Sequence, residues 1–113
     1  VMIKKSSALT TTTSLQTIYT VPNGKRAEWK MLWISNVSGS NGTFDVTYYN
    51  KANDTTFAFF DDHTLSAKDF FQIGGEYYEF VTMYEGDYVQ ISATQPMTAV
   101  VSVIEHNDVI QGG

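Results

Sequence analysis

Ala27-Glu28-Trp29-Lys30-Met31-Leu32-Trp33-Ile34 decides the fold class. In an extended chain successive side chains point to opposite faces, so Ala27, Trp29, Met31 and Trp33 share one face while Glu28, Lys30, Leu32 and Ile34 share the other. One face is apolar throughout, which is the pattern of a strand lying on a core. Just before it, Pro22-Asn23-Gly24 joins a fixed φ to residues that tolerate positive φ, a strong turn. Residues 15–21 alternate well enough to form the preceding strand.

The same alternation continues downstream. Residues 35–42 hold Asn, Ser and Gly in loop proportions, after which Phe44, Val46 and Tyr48 alternate with Thr43, Asp45, Thr47 and Tyr49. Residues 50–54 form a polar turn and residues 55–60 resume with Thr and Phe, so the two runs are expected to pair as a hairpin. Ser66-Ala67-Lys68-Asp69 has capping-box spacing, but Gly74-Gly75 cuts off residues 70–73 too soon for a helix, leaving a turn and a short strand. Residues 76–84, the tight turn Glu85-Gly86-Asp87 and residues 88–93 read as strand, turn, strand. After Gln95-Pro96, residues 97–105 form a largely buried final strand.

About eight short strands with turns every 8 to 12 residues are the signature of a β-sandwich or barrel. The expectation is one all-β domain, a single antiparallel β-sandwich of jelly-roll type without a long helix. Residues 1–14, with the run Thr10-Thr11-Thr12-Thr13-Ser14, read as an extended N-terminal arm. Residues 15–106 form the sandwich and residues 107–113 a loose tail.

Composition narrows the function. At 113 residues the chain fits one core, and with 42% apolar against 17% charged residues it is too hydrophobic to be disordered. A formal charge of −5 repels phosphate backbones, and seven Lys and Arg are too scattered for a nucleic-acid stripe. No cysteine is present, so neither a disulfide nor a thiolate metal site can hold the fold. The start, Val1-Met2-Ile3-Lys4-Lys5-Ser6-Ser7, lacks the apolar run of a secretion signal, and no stretch is long and apolar enough for a spanning helix, so no membrane partner is expected.

Catalytic constellations are weak. His63 and His106 are the only imidazoles, neither in a recognisable catalytic context, and Gly74-Gly75 lacks the downstream residues of a phosphate loop. Asp61-Asp62 and Glu85/Asp87 are the nearest carboxylate pairs, but neighbouring strand residues point apart, so Asp61 and Asp62 would converge only if the chain bends there. Asp61-Asp62-His63 is the best metal candidate, yet its spacing matches no known loop. The expectation is therefore no enzyme, no metal and no cofactor. Trp29, Trp33, Tyr48, Tyr49, Tyr77, Tyr78, Tyr84 and Tyr88 could build a sugar platform, although alternation assigns the tryptophans to the core. Asn36, Asn41 and Asn53 sit in glycosylation-type triplets and are expected in surface loops.

Residues 15–25, Leu15-Gln16-Thr17-Ile18-Tyr19-Thr20-Val21-Pro22-Asn23-Gly24-Lys25, then Trp33-Ile34-Ser35-Asn36-Val37-Ser38-Gly39-Ser40, Glu85-Gly86-Asp87 and Ile91-Ser92-Ala93, form a recurring pattern of turn and strand signatures. Over residues 15–105 the chain resembles small tailed-bacteriophage virion structural proteins, with Trp29 and Trp33 where aliphatic residues are more usual. The resemblance implies a capsid decoration (cement) protein, made in the host cytoplasm and placed in the virion. Its partners would be the major capsid protein, other virion proteins and identical copies, a trimer being the natural closed form. Val1, Met2, Ile3, Lys4 and Lys5 of the arm are the candidate protein interface. The other readings are a neck, tail or fibre component and a carbohydrate-binding module that reads a host receptor.

Overall fold

The structure is a computed structural model and describes residues 2–75 and 81–108. Among the described residues there are nine strands: β1 (Met2–Thr10), β2 (Gln16–Thr20), β3 (Lys25–Ser35), β4 (Gly42–Asn50), β5 (Thr55–Leu65), β6 (Phe70–Gly74), β7 (Val81–Tyr84), β8 (Tyr88–Ala93) and β9 (Thr98–Asn107). They form two antiparallel sheets. One runs β1-β9-β3-β6 with β7 also on β3, and the other runs β2-β8-β4-β5. β7 pairs with residues 26–29 of β3 and β6 with residues 31–35, so the two are collinear and fill one strand position. Eight positions in two layers, with sequence neighbours mostly in different layers, is the jelly-roll arrangement. The all-β sandwich expected from alternation is the fold found, and the β4–β5 hairpin with it.

Burial follows the alternation with period 2. Ala99, Val101 and Val103 of β9, Phe44, Val46 and Tyr48 of β4, and Val89, Ile91 and Ala93 of β8 all point between the sheets and are almost fully buried. These β-branched and aromatic side chains fit a pleated surface buried on one side, so burial of that face supplies most of the drive to pair.

The strand that decides the fold departs from simple alternation. The β3–β9 register slips between Trp29 and Met31, placing a β-bulge at Lys30. The extra residue reverses which side faces inward: Ala27 and Trp29 are buried before it, Leu32 and Ile34 after it. Met31 and Trp33 therefore do not share the core face with Trp29, contrary to strict period 2. Trp29 packs between the sheets on Phe59, with ring centroids 5.5 Å apart, whereas Trp33 stacks on the outer face against Phe70 at 4.6 Å. The bulge is closed chemically. The Trp29 indole Nε1 donates to the Met31 carbonyl at 3.1 Å, and the Gly75 N–H donates to the Lys30 carbonyl at 2.8 Å. Gly74, at φ +85°, lies so close that a Cβ would sit 2.1 Å from the Lys30 oxygen, so only glycine fits.

Two other expectations change, and one expected turn proves to join the sheets. The N-terminal arm is extended but not free: residues 2–10 pair with β9 in unbroken register from Met2↔His106 to Thr10↔Thr98. Serine- and threonine-rich sequence hides this strand because it has almost no apolar face to alternate. Asn36 is no surface position. It is fully buried and its amide donates to the Ser40 and Leu65 carbonyls, a local use of a polar side chain that a loop composition does not reveal. Asn41 and Asn53 are exposed, as expected. Finally, the Glu85-Gly86-Asp87 turn carries the chain from one sheet to the other, because β7 pairs with β3 and β8 with β2 and β4. Most of the strand expected over 76–84, and the end of the loose tail, lie outside the described residues.

The bulge makes the two tryptophans unequal. Trp29→Ala should cost about 3–5 kcal/mol, as expected of a fully buried aromatic, while Trp33→Ala should cost about 1 kcal/mol, the scale of one partly exposed stacked pair. Urea titration of both variants measures this, and equal losses would contradict the register.

Candidate functional site

The segment named as an interface from sequence, residues 1–5, is placed by β1, apart from Val1, which is not described. β1 is the outermost strand of its sheet, so one row of its backbone N–H and C=O groups has no strand partner among the described residues. Met2, Ile3, Lys4, Lys5 and Ser6 are all exposed, and Leu9 alone packs partly on the core. The strand is thus held mainly by its ladder to β9 and by two side-chain contacts. Ser6 and Ser102 share a hydroxyl hydrogen bond at 3.0 Å, and Lys5 Nζ donates to Glu105 at 3.4 Å.

Glu105 gives that contact its weight. Its carboxylate is 3% exposed and also accepts from the Tyr19 hydroxyl at 2.5 Å. Burial, and then the hydrogen bond to this carboxylate, push the Tyr19 phenol well above its ordinary range. Lys5 is half exposed, so its pairing with Glu105 is screened by solvent and fixes register more than it adds stability.

β1 is also the most regular edge among the described residues, guarded by charge rather than by a kink. β2 carries a bulge between Thr17 and Tyr19, and β5 carries irregularities between its pairings with Phe44, Val46 and Thr47. The β6/β7 edge is interrupted opposite Lys30. Such kinks and breaks blunt an edge. Nine consecutive regular pairings leave β1 straight, with two lysines as its only charge. A groove of about 500 Å³ runs over the outer face beside it, bordered by Lys4, Lys5, Lys30, Met31 and Ser102. Three of the seven Lys and Arg of this acidic chain gather there.

The opposite side of the sandwich is acidic. On β5 the register from Val46↔Phe60 to Phe44↔His63 spans two residues of β4 against three of β5, so Asp61 and Asp62 both face Asp45. Their carboxylate oxygens lie within 4.8 Å of one another, which the expectation that Asp61 and Asp62 diverge did not anticipate. The chain does bend here, with Asp62 at φ +50° and its N–H donating to Asp45 at 2.6 Å. His63 leaves the cluster and stacks on Phe44 at 4.9 Å, so the proposed Asp-Asp-His trio does not converge. Beside it, β5 exposes Thr55, Thr56, Phe57 and Ala58.

Glu85 and Asp87 do not act as a pair either. Asp87 is buried and accepts from the Tyr48 hydroxyl at 2.7 Å and from the backbone N–H groups of Lys51 and Tyr84, each at 2.9 Å. It organises the turn between sheets. Glu85 instead accepts from the Gly24 N–H at 2.6 Å. His106 hydrogen-bonds Glu28, a carboxylate partner its sequence context did not suggest. Both sit on the outer face of the β9–β3 pair and neither borders the groove. Tyr49 and Tyr88 stack at 4.6 Å, and the Tyr49 hydroxyl donates to Asp54 at 2.6 Å. Tyr77 and Tyr78 lie outside the described residues.

Tyr48 gives these contacts a measurable signature. Burial first, then its hydrogen bond to Asp87, push the phenol up to about 12 from 10.0. The folded value exceeds the unfolded one, so this contribution to stability is complete below pH 10 and is lost as pH rises toward about 12. Chemical denaturation across that window should show falling stability, with a shallower fall in Tyr48→Phe. Parallel curves would contradict the assignment.

No family model and no curated protein matches the chain. It is similar to a solved structure of Bacillus endospore appendages, described as forming a novel family of disulfide-linked pili. The TM-score is 0.55 with 15% identity, over 95% of this chain and 87% of that one. At that identity the likeness establishes the fold alone.

Proposed function

We propose that this chain is a structural subunit that works by assembly, a component of a bacteriophage virion whose favoured place is capsid decoration. The observation that carries the assembly reading is β1: a straight, nine-residue edge strand with an unpaired backbone row and an exposed flank. Natural sandwiches blunt or cover such edges, and leaving one open suits a protein whose next strand comes from a partner. The two buried carboxylates are engaged by the fold, Glu105 by Tyr19 and Lys5 and Asp87 by the turn, which supports a role without chemistry.

Two further lines support the reading. The jelly-roll arrangement is common among viral shell proteins, an argument by fold analogy. The resemblance of residues 15–105 to small tailed-phage structural proteins rests on separate ground, namely turn and strand signatures. The similarity to a pilus-forming appendage protein favours polymeric self-association in the same general sense. Those pili are disulfide-linked, and these 113 residues hold no cysteine, so their own contacts are not disulfides. In a lattice, many modest interfaces give strength through avidity.

Co-sedimentation with capsids is the test. The protein should pellet with particles and raise their heat resistance. A version lacking residues 1–10 should keep a cooperative melt but lose at least ten-fold in attachment. The cut spares Thr11, which is buried and bonded to Met97 and Gln95. Absence of the full-length protein from particles, with no change in their melting, would refute the virion reading.

A further inference from the structure

We propose that the open edge of β1 receives the open edge of β5 from a second copy, joining subunits head to tail into one continuous sheet. The inference rests on the assembly reading above and names its contact. β1 and β5 are edge strands of different sheets. β1 lies on the β2 side of the sandwich, whereas Phe60 of β5 packs on Phe71 of β6 with ring centroids 5.1 Å apart, so the two edges flank the molecule on opposite sides. A contact between two different surfaces leaves each copy with one of each still open, and it propagates as a ring or filament.

Charge selects this pairing over the alternatives. β1 carries Lys4 and Lys5 and no acid, whereas β5 carries Asp61 and Asp62 and no lysine or arginine. An antiparallel alignment that sets Ala8 and Leu9 against Ala58 and Phe57, in the regular stretch of β5, also carries Lys4 and Lys5 toward the bent end that holds Asp61 and Asp62. Leu9 and Phe57 then share one face of the joined sheet and the two alanines the other, with no large side chain forced against another. Phe57 is 45% exposed and gains cover. Pairing β1 with a second β1 unites two cationic strands, and β2 offers only five residues with a bulge, whereas β5 offers eleven residues whose irregularities lie opposite Phe44 to Thr47 and leave residues 55–58 in regular register.

The lack of native cysteine makes the contact directly readable. Ala8→Cys and Ala58→Cys each place a thiol on an exposed position without disturbing the core. Oxidised together at a concentration where wild type self-associates, the two variants should cross-link mainly as mixed pairs, one of each kind. Separately, Lys4→Glu and Asp61→Lys should each weaken self-association at least ten-fold at low salt, and mixing them should restore it to within a few-fold of wild type. Ala8→Cys homodimers, or self-association without the mixed cross-link and without charge-swap rescue, would overturn the β1–β5 pairing and leave the assembly reading standing. A protein that stays monomeric in sedimentation velocity up to millimolar concentration would overturn both.

Discussion

The β-bulge at Lys30 is the constraint on which the rest of this molecule depends. One extra residue in the central strand β3 turns the inward face from Ala27 and Trp29 to Leu32 and Ile34. It divides the neighbouring strand position between β6 and β7, and it brings the Lys30 carbonyl against Gly74, where no side chain can stand. The freed carbonyls are satisfied by the Trp29 indole and the Gly75 N–H, so the irregularity leaves no unmet backbone acceptor at these two residues. It also turns Lys30 and Met31 to the groove beside β1. A local packing device thus shapes the outer face next to the open edge.

Much of the fold was legible because alternation and turn residues agree with it. Phe44, Val46 and Tyr48, and Val89 and Ile91, point where period 2 puts them, and the turns at Pro22-Asn23-Gly24 and Glu85-Gly86-Asp87 end their strands. Legibility failed where an irregularity or a polar strand carried the information. A bulge has no composition signature, so Met31 and Trp33 read as core and Asp61 and Asp62 read as divergent. β1 contains Lys, Ser and Thr because both its flanks meet water, and it therefore looked like an arm. Asn36 looked like a loop residue because sequence does not show that its amide replaces missing backbone partners.

The exposure of the N-terminal segment was legible in its polar sequence, but its order was not. Residues 1–5 read as a terminus available to partners, and of these Met2, Ile3, Lys4 and Lys5 are exposed; their pairing to β9 makes them part of an ordered edge. Order lowers the cost of binding, because a partner strand meets a template already extended rather than a disordered chain. The Lys5 contact with buried Glu105 serves the same end by holding the register in which the outward row is presented. The acidic side was not anticipated, since it required a bend at Asp62.

Backbone amide hydrogen exchange, compared between dispersed and assembled protein, tests the central claim most directly. In dispersed protein the outward-facing amides of β1 should exchange rapidly and those paired with β9 slowly. On assembly the outward row should become protected to the level of an internal strand. If the assembled protein leaves those amides exchanging as fast as before, β1 is not the edge through which this subunit works.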